Sequence, residues 1–572
     1  MKRIPSTALV AFTAWSMAYA GNPKIASDLA SADPASVIDV IVQFKQPPTE
    51  AHHDKVRSRG GRHKRDLSLI KAGHYALPAG ALADLAGDPE VAYISPDRPV
   101  RAFLDYAQPT TNASIALQYG YDGTGVGVAV IDSGVDANSD LAGKKDSRIV
   151  YQESFLAGDA STGDLFGHGT HVAGIVAGDG DKSGKGKRTF LGIAPNANII
   201  SLRVLDANGN GSDSAVIAAL QRAIALKQQY NIGVINLSLG RPVFESYTVD
   251  PLCQAVEQAW NAGIVVVVAA GNGGRDNSAG TSGYATITAP GNDPLALTVG
   301  AMKTMGTATR GDDLIASYSS KGPTLLDHVV KPDLVAPGNL IISLQARKSA
   351  IADAYPGNGV PKSYYANGNS PADSKDYYRL SGTSMAAPMV SGAAALLLQM
   401  DPSLTPDTVK ARLMQTATKT FPSSSMATDP ATGQTYLSQY DIFTVGAGYL
   451  DVWAALNGAA TVPGGASAAS PTAVYDPASA SVYAVNTNTA VWGTTAVWGT
   501  TAVWGTTAVW GTSVFVGGTT AVWGTTAVWG TTAVWGTGAA QGFTAVWGTT
   551  AVWGTGAASS PEAINVAIYG DK

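Results

Sequence analysis

Three short segments of this 572-residue sequence contain the residue types that nucleophilic catalysis requires. Asp132 ends the apolar run in VAVIDSGVD, His168 lies between two glycines in LFGHGTHVAGIVAG, and Ser384 precedes a long apolar stretch in RLSGTSMAAPMVSG. An imidazole can take the proton of a serine hydroxyl, and a carboxylate can hold that imidazole in the required tautomer. The three residues are therefore candidates for acyl transfer through a covalent intermediate.

These residues also have structural alternatives. Asp132 could cap the turn after its strand, and His168 with His171 could form a metal pair. A third ligand is missing nearby in the sequence, and the spacing is not the helical His-x-x-x-His pattern, so zinc is disfavoured. The central part of the chain offers His328 as a further base, because the other histidines lie near the N-terminus: His52, His53, His63 and His74.

Ser384 lies where a helix is predicted to begin. Free backbone N–H groups and the helix dipole favour an anionic oxygen at such a position. Pro388 cannot donate to the carbonyl of Ser384, and the following residues are apolar or small nearly all round, which predicts a buried and rigid helix. Ser381 and Thr383 are predicted to be turn and capping residues.

The elements that would position these side chains lie between about residues 110 and 458. Near-continuous Val/Ile/Leu runs alternate there with helix-length segments: GVGVAVID, ANIISLRVL, GVINLSLG, GIVVVVAAGN and ALTVGA. Strands that are apolar on both faces and separated by helices predict a doubly wound α/β domain with a mostly parallel sheet. Ligands bind such sheets at the carboxyl ends of the strands.

The three segments, in the chain order Asp, His, Ser, resemble the active-site motifs of the subtilisin-like serine protease (subtilase) family. The resemblance covers residues 110–458 and implies a subtilisin-like fold over a catalytic domain at 106–458. It implies that Ser384 is the nucleophile, His168 the general base and Asp132 the group that orients the imidazole. Asn272 in VVVVAAGNGG matches the family's oxyanion donor.

The same resemblance implies a peptide-binding surface. Its residues are expected on two segments: Ser238, Leu239, Gly240, Ala269, Ala270 and Gly271. The first three would form a β-ladder with an extended peptide, which is nearly blind to sequence. We therefore expect polypeptide substrates and broad specificity, with an apolar pocket for the residue before the cleaved bond.

The N-terminus predicts export. Residues 1–20, MKRIPSTALVAFTAWSMAYA, have two basic residues, a short apolar stretch and a small-x-small ending, which is typical of a signal peptide cleaved after Ala20. The mature protein is expected to be secreted or held at the cell surface.

Residues 21–105 are similar to the inhibitory propeptide that precedes such catalytic domains. VIDVIVQF and VAYISPD predict strands and PAGALADLAGDP a short helix, whereas the basic run 52–65 is predicted to be a solvated loop. The resemblance implies that this segment inhibits its own enzyme and is cut off by it within residues 100–110.

The C-terminal part is a repeat. A linker at 459–488 leads to AVWGTT repeats at 489–555 and a tail at 556–572. Because the period of six is even, an extended chain would place every Trp on one face, which favours a β-rich or irregular structure. The repeats could pack against the catalytic domain, contact a cell surface or polymer through aromatic faces, or be removed during maturation.

Composition excludes several classes of protein and of bond. The net charge of −5, with no sustained basic stripe, argues against nucleic-acid binding. Cys253 is the only cysteine, so no intramolecular disulfide can form, and we expect it to be a buried apolar residue on a helix. The chemistry requires no cofactor, although Asp179 and Asp181 could bind a structural Ca²⁺.

The sequence thus predicts a secreted, self-processing serine endopeptidase. Two alternatives are a surface or adhesion protein that uses its Trp repeats and carries an inactive protease-like scaffold, and a peptide ligase or cyclase on the same fold. The intact set Asp132, His168, Asn272 and Ser384 argues against the first. The mass of the product separates hydrolysis from ligation.

Overall fold

The computed structural model describes residues 22–26, 29, 32–97, 99–102, 110–143, 146–184, 188–366, 373–429, 432–476, 481–485 and 561–571. The predicted signal peptide, most of the processing region and the AVWGTT repeats lie outside the described residues. The chain divides into two compact units. One comprises the chain up to Asp97 with Val249–Pro251, and the other comprises Arg98–Thr248 with Leu252–Lys572.

The N-terminal unit is an antiparallel sheet with two helices. Its elements are β1 (Val37–Phe44), α1 (Glu50–Arg57), β2 (Arg62–Leu67), β3 (Ala72–Pro78), α2 (Leu82–Ala86) and β4 (Val91–Pro96). The strand order is β2-β3-β1-β4. The strands predicted from VIDVIVQF and VAYISPD are β1 and β4. Val40, Leu77, Leu85 and Ile94 lie in its core with no exposed surface.

The prediction of a solvated loop at 52–65 was wrong, because this basic run forms most of α1 and β2. The helix is held locally, since Nδ1 of His52 accepts from the backbone N of Thr49 at 3.1 Å and Arg57 pairs with Asp54 at 2.6 Å. On β2, exposed and half-buried residues alternate along an edge strand, so its charged side chains reach water while the backbone pairs with β3.

The described residues after β4 form eighteen more strands. They are β5 (Pro99–Ala102), β6 (Gly127–Asp132), β7 (Ile149–Ser154), β8 (Asn198–Arg203), β9 (Asn210–Ser212), β10 (Ile232–Leu237), β11 (Leu239–Gly240), β12 (Val265–Ala269), β13 (Leu297–Lys303), β14 (Leu314–Ile315), β15 (Leu334–Pro337), β16 (Ile341–Leu344), β17 (Gly359–Pro361), β18 (Asp373–Leu380), β19 (Ser424–Thr428), β20 (Thr435–Gln439), β21 (Thr472–Asp476) and β22 (Ser481–Val485).

The helices in the same part of the chain are α3 (Ala113–Gln118), α4 (His168–Ala177), α5 (Asp213–Tyr230), α6 (Pro251–Asn261), α7 (Ala350–Ala354), α8 (Lys362–Tyr365), α9 (Thr383–Met400), α10 (Pro406–Thr416), α11 (Val452–Leu456) and α12 (Pro561–Tyr569). Cys253 is buried on α6, as predicted. Helix α9 packs against α4 and against β10, β12 and β13.

A large sheet with the order β14-β13-β12-β10-β6-β8-β7 forms the centre of this part, and β15 also pairs with β13. Its pairs are parallel except for β14, which is antiparallel to β13. The five apolar runs of the sequence are β6, β8, β10, β12 and β13. Every residue of β6, β12 and β13 is buried, so both faces of these strands are covered. This confirms the predicted α/β class.

Among the described residues, α9 is the one helix long and apolar enough to cross a membrane, and 83% of it is buried inside the fold. The predicted linker 459–488 contains the β21–β22 hairpin, and the predicted tail contains α12. The backbone N–H of Ser381 donates to the carbonyl of Ala567 at 2.8 Å, so the segment after the repeats packs beside the start of α9.

Candidate active site

The candidate residues meet at one edge of the large sheet. Asp132 is the last residue of β6, Ser238 directly follows β10, and Ala269 is the last residue of β12. These three strands are parallel neighbours in the order β12-β10-β6. Because parallel strands end at the same edge, residues more than a hundred positions apart in the sequence come together there.

Asp132 and His168 form a buried hydrogen-bonded pair. Nδ1 of His168 lies 2.6 Å from Oδ1 of Asp132, and neither side chain has exposed surface. The same carboxylate oxygen accepts from the backbone N of Ser133 at 2.7 Å. His168 is the first residue of α4, and Gly167 before it has a φ of 104°, a conformation that favours glycine. The pairing fixes Nδ1 as the donor, so Nε2 is the nitrogen that can accept a proton.

Ser384 is the second residue of α9 and has no exposed surface. Gly382 precedes the helix with a φ of 149°, in the region that favours glycine. The hydroxyl of Ser384 donates to the carbonyl of Ser238 at 3.1 Å, and the Ser238 hydroxyl donates to the carbonyl of Ser384 at 2.6 Å. The nucleophile candidate is thus tied to the end of β10 in both directions.

Two further residues, which sequence reasoning missed, support this connection. The hydroxyl of Ser391 on α9 donates to Oδ1 of Asn236 at 2.8 Å, and Nδ2 of Asn236 donates to the Ser238 hydroxyl at 2.9 Å. All are buried. A buried polar chain with every member paired fixes the position of its elements. Ser391 is spaced two helical turns after Ser384, and that spacing was the signal available in the sequence.

Asn272 is placed by Thr383. Oδ1 of Asn272 accepts from the backbone N of Thr383 at 2.9 Å and from its hydroxyl at 3.2 Å. The Thr383 hydroxyl in turn accepts from the backbone N of Gly271 at 3.0 Å. Because Oδ1 is occupied, the Nδ2 group is the part of Asn272 that can donate to a substrate oxygen. The prediction that Ser381 and Thr383 cap α9 was wrong, because the N-cap residue is Gly382 and it is Asn272 that accepts from the first backbone N–H of the helix.

A buried carboxylate near His168 was also missed. Asp164 accepts from the Ser133 hydroxyl at 2.8 Å, from the backbone N of Gly167 at 2.6 Å and from that of Thr170 at 2.8 Å. Burial raises the pKa of Asp164, whereas these donors act to lower it. Asp164 therefore fixes the segment before α4 and, through it, the position of His168 at the start of that helix.

His171 has a structural role. It is fully buried, and its Nε2 lies 3.2 Å from the carbonyl of Tyr378. Burial lowers the pKa of His171 to about 3, with a further contribution from His168. A neutral imidazole that donates to a carbonyl is not a ligand for a metal shared with His168, whose Nδ1 is bound to Asp132.

An extended segment lies along the predicted peptide-binding strand. In β11, Leu239 pairs antiparallel with Ala102 and Gly240 pairs with Arg101. The other edge of this segment, β5, pairs antiparallel with β9. The residues 99–102 therefore form the middle strand of a three-stranded sheet, which is the geometry in which a bound peptide completes a β-ladder.

The second segment expected to line the peptide-binding surface, Ala269 to Gly271, lies in the interior. Ala269 and Ala270 have no exposed surface, and the backbone N of Ala270 donates to the carbonyl of Val299 at 3.0 Å. Gly271 has a φ of 105°, and a Cβ there would lie 2.9 Å from the Ser320 hydroxyl. The turn that carries Asn272 thus requires glycine at this position.

The loop with Asp179 and Asp181 does not fit a calcium ion. Asp181 is exposed, and Asp179 lies 3.4 Å from the guanidinium of Arg148. That guanidinium donates to three main-chain carbonyls, those of Asp140, Ala177 and Ala197. Carbonyl and carboxylate oxygens are the ligands that Ca²⁺ uses. Here the guanidinium of Arg148 already binds these oxygens, so a positively charged side chain occupies the position expected for the calcium ion.

Comparison with known proteins gives the family. Residues 123–436, more than half of the chain, match the sequence profile of the Subtilase family. The chain belongs to the subtilase family. Serine protease AprX of Bacillus subtilis (strain 168) is 38% identical over 325 residues, covering 55% of this subtilase and 66% of AprX. Subtilisin E of the same strain is 33% identical over 386 residues, covering 66% and 84% of the two chains.

Two more relatives agree with this assignment. The extracellular serine proteinase of Thermus sp. (strain Rt41A) is 35% identical over 353 residues, covering 60% of this subtilase and 70% of that protein. Fervidolysin from Fervidobacterium pennivorans, described as a keratinolytic enzyme related to subtilisin, matches with a TM-score of 0.54 at 24% identity over 76% of this chain and 62% of its own. The fold is subtilisin-like, and the subtilase is a serine protease of the subtilisin type.

Replacing Asn272 by Asp is expected to lower kcat by about 10² to 10³, the size known for loss of this donor in subtilisin, while KM stays within about twofold. Asp keeps the oxygen that accepts from Thr383, loses the amide donor and adds a negative charge beside the oxyanion. Steady-state kinetics on a chromogenic peptide measure the change. Thr383→Ser is the matched control, because it keeps the hydroxyl that holds Asn272. Equal loss of kcat in both variants would contradict the role given to the amide.

Proposed function

We propose that this subtilase is a secreted endopeptidase that hydrolyses peptide bonds through an acyl-enzyme on Ser384. The observation that carries the proposal is the buried Asp132–His168 pair at 2.6 Å, set on the same sheet edge as Ser384 at the start of α9. The turn with Asn272 is bonded to the residue before Ser384. The set of nucleophile, base, orienting carboxylate and oxyanion donor is complete.

In the proposed reaction, the Ser384 hydroxyl attacks the carbonyl carbon of the substrate while Nε2 of His168 takes its proton. Asp132 stabilises the positive imidazole through Nδ1. The backbone N–H of Ser384 and the amide of Asn272 stabilise the oxyanion of the tetrahedral intermediate. His168 then protonates the leaving amine, which leaves an ester on Ser384. Water attacks this ester, with His168 again taking a proton, and the free carboxylate product departs.

We infer that substrates bind as extended chains along β11. The pairing of β5 with β11 supports this, because paired strands bond through main-chain groups, here those of Leu239 and Gly240. Such pairing tolerates many sequences. Broad specificity is therefore expected, with preference set by the residue at the cleaved bond.

We further infer that the N-terminal unit is an inhibitory propeptide that the enzyme removes itself, and that residues 1–20 direct export. The pairing of residues 99–102 with β11 supports the first, since an uncut segment there excludes a substrate. The printed name of the Thermus relative, an extracellular proteinase, supports the second.

The register of β5 on β11 predicts the cut. Ala102, the last described residue of β5, pairs with Leu239, and Leu239 directly follows Ser238. The carbonyl of Ser238 lies 3.1 Å from the Ser384 hydroxyl. Edman sequencing of the mature protein is therefore expected to start at Leu104, after cleavage of the bond that follows Phe103. A start more than about two residues away would contradict this register.

The direct test of the proposed function uses the secreted protein and an internally quenched peptide. Cleavage should add the mass of one water to the summed products, and a fluorophosphonate should block it while adding its mass to the peptide that spans residues 379–399. Ligated products with no added water would indicate a peptide ligase instead. An intact peptide and an unlabelled Ser384 would favour a surface protein with an inactive scaffold.

A further inference from the structure

Three side chains of the N-terminal unit bring one ligand atom each to a common point. They are His53 on α1 and His63 and Asp66 on β2, and these ligand atoms all lie within 4.8 Å of one another. Nε2 of His53 lies 3.4 Å from Oδ1 of Asp66, and Nε2 of His63 lies 3.0 Å from the same oxygen. Two ligands bound at about 2.0 to 2.1 Å from a tetrahedral ion are separated by about 3.3 Å, so both measured gaps fit one ion.

The surroundings of His53 favour its neutral imidazole, which is the form that binds metals. The rings of His53 and His63 stack with their centroids 4.0 Å apart. Burial lowers the pKa of His53, and the neighbouring His63 lowers it further. Nδ1 of His53 lies 3.0 Å from the hydroxyl of the buried Tyr75, an outer hydrogen bond that orients the ring with Nε2 towards Asp66.

We propose that His53, His63 and Asp66 bind a divalent transition-metal ion such as Zn²⁺. Two imidazole nitrogens and one carboxylate oxygen are donors typical of such ions, whereas Ca²⁺ and Mg²⁺ take oxygen ligands. Binding replaces the hydrogen bond between Nε2 of His63 and Oδ1 of Asp66, with the ring proton carried on Nδ1 of His63, and a water completes the coordination. Because the ligands lie on α1 and β2, the ion links these two elements and stabilises the folded unit.

The test is calorimetric titration of Zn²⁺ into the full chain carrying Ser384→Ala at pH 7.5. Intact mass is measured first, and only chains that retain the N-terminal unit are titrated. His63→Gln and Asp66→Asn, each added to this chain, are expected to weaken one Zn²⁺ site by more than about tenfold, since loss of an outer partner alone costs 10- to 100-fold. Both residues are partly exposed, so the fold is expected to tolerate them.

His52→Gln is the matched control. His52 precedes His53 on α1, and its ring accepts from the backbone N of Thr49, a role that Gln also fills at this position of a helix. This variant should bind Zn²⁺ like its parent, and Ca²⁺ or Mg²⁺ should give no site in any variant. The proposal is overturned if the parent binds no Zn²⁺, or if His63→Gln and Asp66→Asn leave its affinity and stoichiometry unchanged.

A second feature, independent of the His53 cluster, is the buried carboxylate that holds residues 561–571, the segment after the repeats. Asp571 has no exposed surface, and its carboxylate accepts from the guanidinium of Arg275 at 2.6 Å. It also accepts from the backbone N and the hydroxyl of Ser317, both at 2.7 Å. Its backbone forms two hydrogen bonds with the amide of Asn339, at 2.8 and 3.0 Å. A buried carboxylate held by this many donors is a specific anchor.

This segment contacts both loops of the oxyanion site. Arg275, which pairs with Asp571, follows Asn272 by three residues, and Ser381, which bonds to Ala567, precedes Ser384 by three. Gly570 fits so closely that a Cβ there would lie 2.2 Å from the Ser381 hydroxyl. The same short segment thus fixes the turn that holds the oxyanion donor and the turn that leads to the nucleophile.

We infer that residues 561–571 are a positioning element of the active site and that Asp571 is its anchor, an inference that rests on the proposed function. The predicted AVWGTT repeats are then a long insertion between β22 and α12, two elements of the catalytic part. Removal of the Asp571 charge leaves Arg275 buried with the Ser317 hydroxyl at 2.9 Å as a neutral partner. The nearest carboxylate that remains among the described residues is that of Asp429, at 3.6 Å.

The test compares Asp571→Asn with wild type on a chromogenic peptide, at a temperature where circular dichroism shows both to be folded. Asn is isosteric but loses the charge that holds Arg275, so kcat is expected to fall by about 10- to 100-fold with KM within about twofold, the cost of a small misplacement of catalytic groups. Ser317→Ala removes two hydrogen bonds of the hydroxyl, to Asp571 and from Arg275, but keeps both charges of the pair, so it gives a smaller fall in kcat. This variant is used if Asp571→Asn does not fold.

Asp451→Asn is the matched control, because Asp451 forms a similar pair with Arg310 at 2.6 Å on α11 and contacts neither loop of the oxyanion site. Its kcat should equal that of wild type. Unchanged kcat in folded Asp571→Asn and Ser317→Ala, with an active wild type, overturns this inference alone. An inactive wild type overturns the proposed function and this inference with it.

Discussion

Ser384→Ala is expected to lower kcat for peptide hydrolysis by about 10⁶, the size known for loss of this nucleophile in subtilisin. The change removes the one atom that forms the covalent intermediate. The helix should be unaffected, since Ala suits α9 and the hydroxyl's hydrogen bond within the described part of the chain is to the carbonyl of Ser238. Initial rates on a fluorogenic peptide measure the loss, and the mass of the secreted chain should show that the N-terminal unit is retained.

Ser381→Ala is the control for this prediction. Ser381 lies three residues earlier in the same segment, is equally buried, and its hydroxyl has no hydrogen-bond partner among the described residues. Its removal should leave kcat within about twofold. A Ser384→Ala chain that is processed and active like wild type would show that another residue supplies the nucleophile.

Asp132→Asn is expected to lower kcat by about 10⁴ at neutral pH. An amide that donates to Nδ1 of His168 places the imidazole proton on Nε2, which can then no longer take the proton of Ser384. Asn keeps the shape of Asp, but its nitrogen then takes the position of the oxygen that accepts from the backbone N of Ser133, so that hydrogen bond is lost. A plot of kcat against pH for the purified, mature variant measures the effect.

The matched control is Asp136→Asn in the same DSGVD segment. Asp136 accepts from the backbone N of Asp164 at 2.9 Å and from that of Arg347 at 2.9 Å, but it does not contact His168. Its kcat should stay within about tenfold of wild type. Similar losses in the two variants would indicate that Asp132 acts through the stability of the segment and not through the imidazole.

The strands and the helix of the nucleophile were predictable because their signal is local. A run such as VVVVA has apolar side chains on both faces of a strand, so both faces must be covered by other parts of the fold. Composition alone therefore predicts a buried strand, and β12 is such a strand. The apolar stretch after Ser384 likewise predicted α9. The prediction for the basic run 52–65 was wrong because charged residues indicate only that a segment is exposed to solvent. An edge strand such as β2 can be as exposed as a loop.

The roles of polar side chains were predicted less well than their positions. Thr383 reads as a helix cap from its place before an apolar run, yet its hydroxyl bonds to the turn with Asn272, which lies 111 positions earlier. Arg148 and the loop at 178–184 are separate in sequence, so nothing local indicated that a guanidinium would take the carbonyls of a possible calcium site. Hydrogen bonds of this kind depend on which segments meet.

The sequence by itself determined the family, the α/β class and the three motif residues, because their signal lies in short segments and in their order along the chain. The tertiary structure decided what those segments touch. It brought Asp132 to His168 at 2.6 Å, bonded Ser238 to Ser384 in both directions, and paired the buried Asp571 with Arg275. Contacts between residues a hundred or more positions apart follow from strand order and packing, which no local pattern of residues encodes.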